Sequence, residues 1–181
     1  MGKPLQVLLV EDSPDDAELL ELELSRGGFA PTIRRVETGD AMRAALMSDV
    51  TWDVVLSDYH LPTFSAEAAL ATLQDSGRDL PFIIMSGVVR AEDAVNLLKR
   101  GAHDFLDKAS LARLVPAIER EIRDCRERAK RRQAEERVRV LSLAIEQSPV
   151  SVTITDRNGI IGNVNPKFVK ATGYPAAESL G

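Results

Sequence analysis

The chain has 181 residues, 44% hydrophobic and 28% charged, with a formal net charge of −5. That length suits one full domain and part of another, and the acidic surplus argues against nucleic-acid binding as the main business. No apolar run approaches the roughly 18 residues of a membrane span, Met1-Gly2-Lys3-Pro4 does not open a signal peptide, and the lone Cys125 excludes an internal disulfide or a cysteine metal cluster. The expected compartment is the cytoplasm, with Cys125 at an ordinary packing position on a helix.

Residues 5–10 form a short apolar run of strand length that ends in Glu11-Asp12-Ser13-Pro14-Asp15-Asp16. Ser13 or Asp12 before Pro14 starts a helix, with acids in the first turn where the helix dipole favours them. Ala17, Leu19, Leu20, Leu22 and Leu24 give this helix its apolar side until Gly27-Gly28 stops it. Residues 32–36 read as a second strand and 38–47 as a second helix, with Ala41, Ala44, Ala45 and Leu46 inward. The apolar stretch 52–58 is a third strand, suited to burial on both faces, that ends on Asp58 and cannot simply continue past Pro62. A helix follows over about residues 65–75, closed by Ser76-Gly77. Residues 81–87 are a fourth buried strand ending in the small hydroxyl of Ser86, 92–100 a helix stopped by Gly101, and 103–108 a short fifth strand.

Strands alternating with helices at short spacing call for an α/β architecture with a parallel, doubly wound sheet. In such sheets ligands bind at the carboxyl ends of the strands. Glu11 and Asp12 follow the first strand, Asp58 ends the third, Ser86 ends the fourth and Lys108 follows the fifth. Singly each has a plain explanation: a turn cap for Asp58, helix caps for the acids, a cap or turn for Ser86, a solvated charge for Lys108. Their coincidence on one edge is hard to obtain from packing alone.

Two carboxylates ~4 Å apart repel by about 4 kcal/mol at an effective dielectric near 20, so three of them need a counter-ion. Oxygen ligands without histidine or cysteine favour a hard cation such as Mg²⁺, which combines carboxylates with water and phosphate oxygens. With it the edge suits phosphoryl transfer to Asp58 as a carboxylate nucleophile, Ser86 and Lys108 holding the phosphoryl oxygens. A hydrolase of the haloacid dehalogenase type also uses an aspartate nucleophile with Mg²⁺, but it wants a second aspartate two positions on, where His60 stands. A fold-only interaction module is the other rival, and the complete set of five groups argues against it.

Val-Glu-Asp-Ser-Pro at 10–14, Leu-Ser-Asp-Tyr-His-Leu-Pro at 56–62, Ile-Ile-Met-Ser-Gly at 83–87 and Gly-Ala-His-Asp-Phe-Leu-Asp-Lys at 101–108 resemble the receiver domain of bacterial two-component response regulators. The resemblance spans about residues 5–122 and implies a flavodoxin-like (βα)5 fold. It implies that Asp58 accepts a phosphoryl group from a histidine kinase or phosphotransfer protein. It further implies that Glu11, Asp12, Asp58 and the His60 backbone carbonyl hold Mg²⁺, and that Ser86 and Lys108 contact the phosphoryl group. Ser86 and Phe105 would be the switch residues, Phe105 through its rotamer. Ala109, Gly87 and His60 depart from common family choices, and none of the three removes a phosphotransfer group.

Beyond this, Ser110 is expected to cap a very long helix over about residues 111–145. Val115, Ile118, Ile122, Cys125 and Ala129 recur as a coiled-coil-like stripe that breaks across Lys130-Arg131-Arg132 and resumes at Ala134, Val138, Leu141 and Ile145. Glu127, Glu135 and Glu136 are interleaved with the basic run, which favours a solvated charged helix over a nucleic-acid patch. Residues 150–156 alternate like a strand, and Asp156-Arg157-Asn158-Gly159 turns into a second strand over 160–165. Ser-Pro-Val, Ile-Thr-Asp-Arg-Asn-Gly and Val-Asn-Pro-Lys-Phe here resemble the opening of a PAS sensor domain. The expected division is therefore a receiver over 1–122, a signalling helix over 123–147 and the N-terminal part of a PAS domain over 148–181, the whole forming a homodimer through the helix and belonging to a longer protein with an effector.

Overall fold

The computed structural model describes residues 2–87 and 91–175. The chain divides into two compact units, Met1–Arg128 and Ala129–Gly181. In the first, β1 (Lys3–Val10), β2 (Phe29–Val36), β3 (Val54–Asp58), β4 (Phe82–Ser86) and β5 (Asp104–Asp107) form one sheet in the order β2-β1-β3-β4-β5. Every pairing is parallel. Alternate strand residues feed two cores, as the period of two requires. Leu8, Val10, Val55, Phe82 and Ile84 face α2 (Gly39–Leu46), α3 (Ala66–Asp75) and α4 (Ala91–Lys99). Leu5, Val7, Leu9, Val54, Leu56, Ile83 and Met85 face α1 (Pro14–Arg26) and the first turns of α5 (Leu114–Glu146).

The helix starts are set by side-chain hydroxyls. Ser13 Oγ accepts from the Asp16 N–H, Thr38 Oγ1 from Ala41 and Ser65 Oγ from Ala68, each at the N-cap. Gly27 is the C-cap of α1, and a Cβ there would run into the Val115 side chain of α5.

Several expectations need adjustment. β2 begins at Phe29, because this edge strand pairs with β1 along its full length, from Lys3 with Phe29 to Val10 with Val36. Leu19 and Leu22 are exposed, and only Leu20 and Leu24 of α1 are buried. In α2 the inward residues are Met42, Ala45 and Leu46, whereas Ala44 is exposed. Ser110 does not cap the long helix; it sits at φ −126 and ψ 54 within a 3-10 segment, Lys108–Arg113, whose N-cap is Asp107. The first half of the expected coiled-coil stripe belongs to the core of the first unit. Leu114, Ala117, Ile118 and Ile122 pack on the sheet, and buried Cys125 donates to the Asp79 carbonyl. Arg126 pairs with Asp53 at 3.3 Å, so the first unit continues past residue 122 to Arg128.

In the second unit α5 runs to Glu146 and carries exposed Val138 and Leu141, with Ile145 half-buried. β6 (Thr153–Thr155) and β7 (Ile161–Val164) pair antiparallel across the expected turn, which Asp156 closes by accepting the N–H groups of Asn158 and Ile160 while Gly159 takes φ +84. α6 (Pro166–Thr172) follows, N-capped by Asn165. No described helix is long and apolar enough to cross a membrane.

Candidate functional site

The strand register places the site. Val10 pairs with Ser57, so Glu11 emerges beside Asp58; Asp58 pairs with Met85, so Ser86 lies one step on; Ser86 pairs with Asp107, so Lys108 follows at the same edge. One carboxylate oxygen each from Glu11, Asp12 and Asp58 lies within 4.8 Å of the others. Glu11 and Asp58 are buried and Asp12 is exposed, which leaves the cluster open on one side. This donor set is all oxygen and fits a hard divalent cation.

Lys108 Nζ donates to Glu11 Oε2 at 2.8 Å and to Asp16 Oδ2 at 2.6 Å, and forms an ion pair with Asp58 Oδ2 at 3.2 Å. Burial pushes the Glu11 carboxyl above its usual range, against the opposing pull of Lys108 and of the Ser13 N–H, while the Asp58 charge adds to the rise. For Lys108 burial works against the ammonium, but hydrogen bonds to Asp16 and Glu11 outweigh it and raise the pKa, so the lysine stays charged throughout the physiological range.

Of the remaining predicted residues, Ser86 is 2% exposed at the end of β4. His60 is exposed on the loop after β3, its ring edge-on to Tyr59 at 4.8 Å. Phe105 is half-buried against the core on the α2–α4 side. Two contributors escaped the sequence-based expectation. Asp16 reaches Lys108 across 92 positions of sequence, and nothing local distinguishes it from another first-turn acid. Arg35 donates to the backbone carbonyls of Glu11 and Asp12 at 3.1 and 2.9 Å, bracing the acidic turn from β2. Its only signal is the register that sets it opposite Leu9.

A five-stranded parallel sheet with an acid cluster and a lysine at its carboxyl edge defines the flavodoxin-like receiver fold. The chain belongs to the response regulator receiver domain family, whose model matches residues 7–119. Receiver domains are the modules phosphorylated on an aspartate in two-component signalling. The cell cycle response regulator CtrA of Brucella ovis is 32% identical over 105 residues, 58% of this chain and 44% of that protein. The chain thus matches less than half the length of this relative. The receiver domain of a putative LuxO repressor protein from Vibrio parahaemolyticus superposes with a TM-score of 0.60 at 29% identity, covering 70% of this chain and 95% of that one. The receiver domain of the sensor histidine kinase PA1611 from Pseudomonas aeruginosa superposes with a TM-score of 0.52 at 26% identity over 67% and 98% of the two chains, and that structure has a magnesium ion coordinated in its active-site cleft.

Proposed function

We propose that Asp58 is the phosphoacceptor, that Glu11, Asp12, Asp58 and the His60 carbonyl hold Mg²⁺, and that Ser86 and Lys108 bind the phosphoryl oxygens. The observation that carries this is the position of Asp58: it ends the central strand β3, 7% exposed, between the two other acids and the lysine. A phosphohistidine of a histidine kinase or phosphotransfer protein is the natural donor. A carboxylate oxygen of Asp58 attacks phosphorus, the phosphorus–nitrogen bond breaks, and the departing imidazole takes up a proton. Lys108 stabilises the charge that gathers on the phosphoryl oxygens, and the buried Ser86 hydroxyl serves one of them. Bound Mg²⁺ supplies further neutralisation of that charge.

The phosphorylated state is read by Ser86 and Phe105 and relayed by α5 towards a PAS and effector region. The second unit supports the PAS assignment through its β6–β7 hairpin and the helix after it. Val138 and Leu141, 64% and 55% exposed at heptad-compatible spacing on α5, support homodimerisation through that helix.

Intact-mass measurement after incubation with acetyl phosphate and Mg²⁺ tests the proposal. A phosphoryl adduct supports the acceptor, whereas fast turnover of acetyl phosphate without an adduct favours a hydrolase. No reaction at all favours an interaction module that retains only the fold.

A further inference from the structure

Lys108 is shared unequally. It donates hydrogen bonds to Glu11 at 2.8 Å and Asp16 at 2.6 Å, and its closest approach to Asp58 is the longer 3.2 Å ion pair. Glu11 belongs to the acid cluster whose oxygens lie within 4.8 Å of one another, and Asp16 does not. A cation held by that cluster competes with the lysine for Glu11, but it has no claim on Asp16. Once the cluster is loaded, Asp16 is therefore the anion that still competes with phosphoryl oxygens for the ammonium.

The carboxylate is well placed for this. Asp16 lies in the first turn of α1, its backbone N–H held by Ser13 Oγ at 3.2 Å, so the helix start aims its side chain at the sheet edge. Its side chain is 40% exposed and that of Lys108 22%, so the pair lies at the solvent edge of the site and not in the core.

We propose that Asp16 is a positioning residue that draws Lys108 towards the start of α1 and so restrains phosphorylation of the acceptor. The proposal rests on the assignment of Asp58 as that acceptor. Replacing Asp16 by asparagine removes the charge while keeping the side-chain size, and frees the ammonium for the phosphoryl oxygens.

The test measures phosphorylation by acetyl phosphate at fixed Mg²⁺ in the whole chain and in Asp16→Asn, Lys108→Ala and the double variant. Urea unfolding of the same four proteins in chelator supplies a readout independent of the metal. The expected result is a rate about twofold to fivefold higher in Asp16→Asn, the range of a partly exposed ion pair. That gain disappears in the Lys108→Ala background, and the two substitutions are coupled in unfolding. An equal or slower rate in Asp16→Asn overturns the proposal, as does absence of coupling. A gain that persists without Lys108 also overturns it, since mere removal of negative charge near the incoming donor then suffices. If the unsubstituted chain takes no phosphoryl group, the Asp58 assignment fails and this proposal falls with it. Normal phosphorylation with no effect of Asp16→Asn overturns the Asp16 proposal alone.

Discussion

Lys108 Nζ stands 2.8 Å from Oε2 of Glu11, a carboxylate whose side chain is 1% exposed. Replacing Lys108 by alanine strands that buried charge, and metal-free protein is expected to lose about 1–3 kcal/mol. Adding Glu11→Gln restores most of it. Because burial holds the Glu11 pKa above 4.5, the folded chain binds this proton more tightly than the unfolded chain. Metal-free stability therefore falls as pH rises from about 4.5 through the raised value. Urea unfolding in chelator across that range checks both statements.

Asp12 is the exposed member of the acid cluster, with an oxygen within 4.8 Å of its partners. Asp12→Ala is expected to weaken Mg²⁺ binding and to stabilise metal-free protein by on the order of 1 kcal/mol, since it relieves like-charge repulsion without opening a cavity. Calorimetric titration with Mg²⁺ and unfolding in chelator measure the two effects. Unchanged Mg²⁺ affinity counts against the cluster as a metal site.

His103 links β5 to the start of β4 and to α5. A neutral ring has a single acceptor nitrogen, which serves either the Phe82 N–H through Nδ1 at 3.1 Å or the Arg128 guanidinium through Nε2 at 3.0 Å, according to the tautomer. A protonated ring accepts from neither partner and sets its charge beside the guanidinium. Burial first and Arg128 second lower its pKa below 6.5, although Glu121 and Asp79 pull the other way. The unfolded chain thus binds more protons below 6.5, and stability falls as pH drops through that value towards the folded pKa. His103→Asn, which keeps an acceptor and cannot charge, is expected to flatten this slope in thermal melts between pH 7 and 5.

Apolar runs made β1, β3 and β4 legible, because strands buried on both faces need continuous hydrophobic sequence. The same logic located Asp58, since a strand that ends on an acid before a proline fixes a position in the sheet. Edge strand β2 alternates less clearly, and its first residues, Phe29 to Pro31, are placed by pairing with β1. The stripe through Ile118, Ile122 and Cys125 has a spacing compatible with a coiled coil and equally with a helix packed on a sheet; only the tertiary structure distinguishes them. Asp16 and Arg35 act across long stretches of sequence, so local patterns carry no mark of them. Asn165 is readable as an N-cap before Pro166, but its other bonds are tertiary.

Those bonds make Asn165 the fixed point of the second unit. Its Oδ1 accepts the N–H groups of Val152 and Phe168, and its Nδ2 donates to the carbonyls of Ile145 and Val150, with 1% of the residue exposed. Asn165→Ala removes all four side-chain bonds; the Phe168 N–H keeps the Asn165 carbonyl and the Ile145 carbonyl keeps the Ser148 N–H, whereas the Val152 N–H loses its Asn165 acceptor, and the expected cost is about 1–3 kcal/mol of local stability. Hydrogen exchange at the Val152 amide is expected to accelerate roughly tenfold or more, while amides of β1 and β3 stay protected. Uniform acceleration across both units would contradict this local role.

As proposed above, Asp58, which ends β3 beside Glu11, Asp12 and Lys108, carries the phosphoryl group. Borohydride reduction converts an aspartyl phosphate to homoserine and so marks the acceptor covalently. After phosphorylation with acetyl phosphate and Mg²⁺, peptide mapping is expected to find homoserine at position 58 and nowhere else, with no such product in Asp58→Asn. Homoserine at another aspartate in the unsubstituted chain, or phosphorylation of Asp58→Asn at the original rate, would contradict the account.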